Sequence, residues 1–149
     1  MTNYPSYMLE ISGQTFRERC QSICDSLHYG DQRYDWVGIY WLEGDTLILG
    51  PWAGRQATEH TRIPVAEGIC GAAAREKTTV IVEDVRSDPR YLSCFLETRS
   101  EIVVPIFSQR RIIGEIDIDS SDVGAFGRRD RVFLELLASS IGKEWPGQW

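Results

Sequence analysis

Between residues 14 and 29 the apolar side chains Phe16, Cys20, Ile23, Cys24 and Leu27 recur at spacings of three and four. That spacing predicts one stripe of an amphipathic helix, which Gly30 ends. The next run, DWVGIYW over 35–41, is rich in aromatic and β-branched residues and reads as a strand. Glu43-Gly44-Asp45 is a turn signal, and 46–49 returns as the second arm of a hairpin that Pro51 stops. Residues 50–64 are polar and irregular and read as a loop with short helical or strand pieces. CGAAAREK, over 70–77, has helix-forming composition, although Gly71 weakens its start. Residues 79–82 form a short buried strand. Asp88-Pro89 marks a loop that opens a short helix near 91–96. Two strong strands, 102–107 and 112–118, are joined by the polar turn 108–111. The last segment, 128–144, places Val132, Phe133, Leu136, Leu137 and Ile141 on one face of a terminal helix.

This order predicts an α+β (mixed α/β) fold in which helices pack on an antiparallel sheet. The two terminal helices are expected on one face. The loops between residues 50 and 100 would cover the other face and enclose a pocket. No repeat or linker interrupts the chain, so a single domain over 1–149 is expected, with 1–12 as a loose N-terminal arm.

Composition narrows the function. A formal charge of −6 argues against nucleic acid or an anionic membrane surface as partner, since both need clustered Lys and Arg. No apolar run approaches the ~20 residues of a membrane span. The start, MTNYPSYMLE, has no signal-peptide pattern, so a cytoplasmic protein is expected. There the four cysteines would stay reduced and serve as core residues, ligands or redox groups.

The segment Glu115-Ile116-Asp117-Ile118-Asp119 is the most informative. Strand alternation sets Ile112, Gly114, Ile116 and Ile118 on one face and Ile113, Glu115, Asp117 and Asp119 on the other. One reading is a solvated face. The other is a set of acids that bind a cation, ligate a group or share a proton, because Asp is disfavoured in strands and like charges at i and i+2 repel. Glu101, beside Val103, could join them from a neighbouring strand. Three carboxylates and four cysteines could ligate a metal, but neither His28 nor His60 has ligand spacing and there is no CxxC, so no metal site is assigned. Cys20 and Cys24 read as helix-stripe core. Cys70 stands at a predicted helix start, where the macrodipole lowers a thiol pKa. Cys94 lies in a polar loop near Arg90 and Arg99. For Cys70 and Cys94, reactive thiol and buried core residue both stay open at this point.

The motifs DWVGIY, LGPWAG, TRIPVAEGICGAA, VEDV, SEIVVPI and IIGEIDIDS occur in the order found in GAF domains and span about three quarters of the chain. The chain resembles, most of all, the small GAF proteins that are free methionine-(R)-sulfoxide reductases. The resemblance implies that Cys94 is the catalytic thiol and Cys70 the cysteine that resolves its sulfenic acid as a Cys70–Cys94 disulfide. It implies that Glu101, Asp117 and Asp119 are the pocket carboxylates. No bound cofactor is implied; reducing equivalents would come from thioredoxin, and the partners would be free methionine sulfoxide and thioredoxin. Trp36, Tyr40 and Trp52 are candidates to pack the S-methyl group, with ordinary core as the other reading of Trp36 and Tyr40. The terminal helices offer a homodimer face.

Two positions depart from that family. Val80 stands where a third cysteine is common, and Tyr91-Leu92-Ser93-Cys94-Phe95 replaces a HIACD-like run. A non-catalytic GAF domain that binds or senses a small molecule is therefore the alternative. A chain of this length holds no attached output domain, so action on the ligand is expected over reporting it.

Overall fold

The computed structural model of the protein describes residues 11–93 and 95–149. The N-terminal arm falls largely, and Cys94 wholly, outside the described residues. Helix α1, Phe16–Gly30, opens at Thr15, whose hydroxyl accepts from the Glu18 amide while the Glu18 carboxylate accepts from the Thr15 amide, each at 3.1 Å. Two amides that a helix start leaves unpaired are thereby satisfied. The predicted stripe is buried at Cys20, Ile23, Cys24 and Leu27.

The strands are β1 (Trp36–Glu43), β2 (Thr46–Gly54), β3 (Arg62–Pro64), β4 (Val80–Val82), β5 (Ser100–Ser108) and β6 (Arg111–Ser120). They form one antiparallel sheet in the order β3-β2-β1-β6-β5-β4. Helix α2, Gly68–Glu76, lies between β3 and β4 in the chain, and α3, Arg128–Glu144, follows β6. Helices α1 and α3 cover one face with Val37, Ile39, Ile102, Val104, Ile116 and Ile118. The other face packs Trp36, Tyr40, Val80, Val82 and Val103 against Ile69, Cys70 and Ala73 of α2. This is the expected α+β arrangement, with loops and α2 opposite the terminal helices.

The structure departs from the sequence pattern at four places. Strand β2 runs through Pro51 to Gly54, because Gly50 and Pro51 together oppose Ile39 in a bulge. A bulge is where a strand tolerates the missing proline N–H. Residues 91–93 and 95–96 carry no helix; the Asp88 carboxylate accepts from the Arg90 amide at 2.8 Å and its carbonyl from Tyr91 at 3.2 Å, closing a turn instead. A bulge at Ile113, between the pairs Ile106–Gly114 and Phe107–Ile112, exchanges the expected faces of Ile112 and Ile113.

The buried stripe of α3 is Leu134, Ala138, Ile141 and Gly142, not one centred on Leu136, which is 54% exposed. Small residues set this rotation. A side chain at Gly142 would collide with the Phe107 carbonyl, so α3 sits closest to β5 along its Ala138–Gly142 side. Phe133 and Leu137 pack at the flank of that stripe. Among the described residues no helix is long and apolar enough to cross a membrane.

Candidate functional site

The sheet register decides between the two readings of the acidic strand. Glu115, Asp117 and Asp119 all point to the α2 face, and they are 0%, 3% and 2% exposed. Asp119 lies between Trp36 on β1 and Glu101 on β5; Asp117 lies between Gly38 and Val103; Glu115 lies between Tyr40 and Pro105. Glu101 is itself buried. Four carboxyls thus occupy the covered side of two adjacent strands.

Helix α2 closes over this cluster. The Cys70 sulfur and one carboxyl oxygen each of Glu101 and Asp117 lie within 4.8 Å of one another. These three residues, with Ile63, Gly68, Ile69 and Leu92, line a small void of ≈ 10 Å³. A larger cavity of ≈ 180 Å³ lies next to it, bounded by Asp35, Trp36, Arg55, Phe95, Thr98 and Asp119 among others. Asp119 stands on the wall of the larger cavity, Asp117 on the wall of the smaller one, and Glu101 meets both acids.

Trp36 owes its place to two glycines. Its indole lies flat over Gly38, two residues along β1, and over Gly54, its partner on β2; a side chain at either glycine would strike the ring. Trp52 stacks beyond it, with centroids 6.3 Å apart and planes at 14°, and Phe95 leans on it at 6.0 Å. Trp36 therefore walls the larger cavity, while Trp52 supports it from behind. Tyr40 is packed in the core, and its hydroxyl donates to the His60 carbonyl at 2.7 Å. The His60 ring donates in turn to the Ser93 carbonyl at 2.8 Å. This strap holds the segment that leads to Cys94.

Burial dominates the electrostatics. It pushes the Glu115 and Asp117 carboxyls well above the ordinary range, and Asp119 and Glu115 add repulsion at Asp117. Asp119 is pushed up to about 7 by burial and by the charge of Asp35, against a hydrogen bond from Glu101 that favours its charged form. Cys70 sits in the first turn of α2, yet its thiol is pushed up, first by burial and then by Asp117, Glu115 and Glu101. The expected lowering at the helix start is overturned, because desolvation and three nearby acids outweigh a partial dipole charge. The cluster can hold protons at neutral pH, and so can donate them.

The family model for the GAF domain matches residues 13–145. The chain belongs to the GAF domain family. The free methionine-R-sulfoxide reductase of Saccharomyces cerevisiae is 45% identical to it over 113 residues, covering 73% of this chain and 62% of that protein. The enzyme of the same name from Escherichia coli is 39% identical over 109 residues, covering 73% and 65%. The aligned stretch therefore spans less than two thirds of the length of these two curated relatives. The structure of free methionine-R-sulfoxide reductase from Neisseria meningitidis, solved in complex with its substrate, shares 34% identity and a TM-score of 0.85, over 94% of this chain and 84% of that one.

Within this GAF domain, the site contains groups that motif reading passed over. Glu115 was placed on the acidic face by alternation but not in the site, although its full burial makes it a member. Asp35 was missed entirely. Its carboxylate accepts from the Ser121 amide at 2.6 Å and its own amide donates to the Asp119 carbonyl, which fixes the end of β6. Arg55, Phe95 and Thr98 come from two separate loops, and no local pattern links them.

Proposed function

We propose that this GAF domain reduces free methionine-(R)-sulfoxide to methionine by thiol chemistry. The observation that carries the reading is the meeting of the Cys70 thiol with buried, proton-holding carboxyls beside an aromatic-walled cavity. The names of the two curated relatives and of the substrate-bound structure support it.

In this reading the Cys94 thiolate attacks the sulfoxide sulfur while a protonated carboxyl of the Glu101, Asp117 and Asp119 cluster hydrogen-bonds to the oxygen and protonates it. Methionine leaves and Cys94 is oxidised to the sulfenic acid. The Cys70 thiol then attacks that sulfur, water departs, and a Cys70–Cys94 disulfide forms. The dithiol of thioredoxin reduces the disulfide and restores both thiols. Two electrons pass from thioredoxin to the sulfoxide, and its oxygen ends as water. The acids that stay ionised hold the substrate ammonium, which favours the free amino acid over a peptide. Trp36, backed by Trp52, packs the S-methyl group; Tyr40 holds the wall behind them. The chain acts as one cytoplasmic domain that pairs through its terminal helices and binds no cofactor.

The assay is consumption of each methionine sulfoxide stereoisomer with a thioredoxin system. Turnover confined to the free R isomer, and lost in Cys94→Ser, is expected. No turnover of either isomer sinks the reading. The Tyr91-Leu92-Ser93-Cys94-Phe95 run favours a second reading, a binding domain without catalysis. That reading expects a ligand-induced melting shift that survives in Cys70→Ser/Cys94→Ser with no turnover by the unaltered protein.

A further inference from the structure

We propose that Cys70, Glu101 and Asp117 form a binding site for a thiophilic divalent cation of the zinc type, which holds the thiol in an unreactive state. Three observations converge. The donor atoms, one sulfur and two oxygens, lie within 4.8 Å of one another, a spacing that one ion can span. They come from α2, β5 and β6, so the sheet and its covering helix preorganise the set. The void they line, ≈ 10 Å³, has room for about one water-sized sphere. It is the size of an ion rather than of an amino acid.

A further observation concerns unsatisfied oxygen. Asp117 Oδ1 is buried without a hydrogen-bond partner among the described residues, and the Glu115 carboxyl oxygens meet only the Cys70 thiol. Glu115 is 0% exposed and faces the Cys70 thiol. Buried polar atoms are ordinarily partnered, and a cation would give Asp117 its missing contact. Zinc accepts thiolate and carboxylate ligands together, and three protein ligands leave its fourth tetrahedral position to water. A thiolate and two carboxylates exceed the ion's charge by one.

Binding displaces the proton of the Cys70 thiol and that of the Asp117 carboxyl; no electron moves. The proposal does not depend on reductase activity, because occupancy is read directly.

The test is titration of the reduced full chain with zinc chloride by calorimetry, and with cobalt chloride by absorption. The expected result is one ion per chain, micromolar or tighter, with a thiolate-to-cobalt charge-transfer band and proton release on binding. Cys70→Ser should abolish the band, and Asp117→Asn should weaken binding by at least ~10-fold, the lower end for a disturbed ligand set. Circular dichroism checks that both variants fold. Cys20→Ser/Cys24→Ser and Cys94→Ser should keep the band. A band that survives Cys70→Ser, one lost with Cys20 and Cys24 or with Cys94, or no binding below millimolar zinc overturns the site.

Discussion

Glu101 on β5 stands directly opposite Asp119 on β6, and their carboxyls are hydrogen-bonded. Two carboxylates cannot share such a bond without a proton between them. The pair therefore keeps a proton in the pocket wall at a pH where free carboxyls have lost theirs.

Stability should also follow the proton that Asp119 itself takes up, which burial favours against the Glu101 bond. The unfolded Asp119 carboxyl titrates near 3.8 and the folded one at about 7. A group raised on folding contributes its stability below the lower value, and that contribution is lost as pH rises to the higher one. Urea denaturation from pH 4 to pH 7 should show a decline to which Asp119 contributes on the order of a few kcal/mol, so that it is shallower in Asp119→Asn, where Glu115 and Asp117 remain. An equally steep decline in the variant would remove Asp119 from the account.

Replacing Glu115 should stabilise the fold. It is buried, its oxygens meet no donor among the described residues beyond the weak Cys70 thiol, and it and Asp117 repel each other when both are charged. Glu115→Leu should gain about 1–3 kcal/mol at pH 8, the usual cost of an unsatisfied buried polar group. The gain should be smaller at pH 5 than at pH 8, because burial favours the protonated glutamate. Denaturation midpoints at the two pH values decide it; a loss at both would mean the carboxyl has a structural partner.

The sequence carried the fold where one local pattern dominated. The α1 stripe, the β5–β6 hairpin and the limits of α3 follow from periodicity and turn signals. It carried less where packing overrode the pattern. Val132 and Leu136 match a helical face, but Ala138 and Gly142 allow a closer approach to β5 and turn that face outward. The bulges at Pro51 and Ile113 are tertiary adjustments with no single-residue signal. For the site, alternation alone put three acids on one side. Whether that side faced water depended on α2, which packs there through contacts distant in the chain.

The α3 contact gives its own prediction. Gly142→Ala places a methyl group against the Phe107 carbonyl, with backbone on both sides. The helix must shift, and the cost should be about 1–3 kcal/mol, typical of overpacking. Ala should otherwise favour a helix interior over Gly by roughly 1 kcal/mol. A more stable variant in thermal unfolding would show that α3 is free to move off the strand.

A second anchor of α3 is electrostatic. Burial pushes the Asp130 carboxyl up, but the Arg33 guanidinium, the Gly127 amide and the Tyr34 hydroxyl outweigh it and hold it low. The Arg33 bond is 2.8 Å and the Gly127 bond 2.9 Å. Arg33 also donates to the Ala125 carbonyl at 2.7 Å, so one guanidinium ties the α1–β1 connection to the start of α3. Asp130→Ala should destabilise by about 1–3 kcal/mol, less than for a fully buried pair because Arg33 is partly exposed. Because the folded pKa is depressed, this contribution is present above the unfolded value and lost as pH falls through the folded one. The gap between the two proteins should therefore close below about pH 3.8.

The cysteines should separate by reactivity. Burial pushes the Cys20 thiol up to about 12, and it pushes Cys24, in the same core, well above the usual thiol range. Only a thiolate alkylates, so neither should react at pH 8 in the folded chain. Cys24 also donates to the Pro51 carbonyl at 3.6 Å, which holds its proton in place. Iodoacetamide labelling followed by peptide mapping should leave both unmodified under native conditions and modify both in urea. Under the proposed reductase cycle, one turnover with sulfoxide and no reductant should link Cys70 to Cys94 and leave Cys20 and Cys24 as thiols. A Cys20–Cys24 bridge in that map would move the redox chemistry to the opposite face of the sheet and end the case for Cys70.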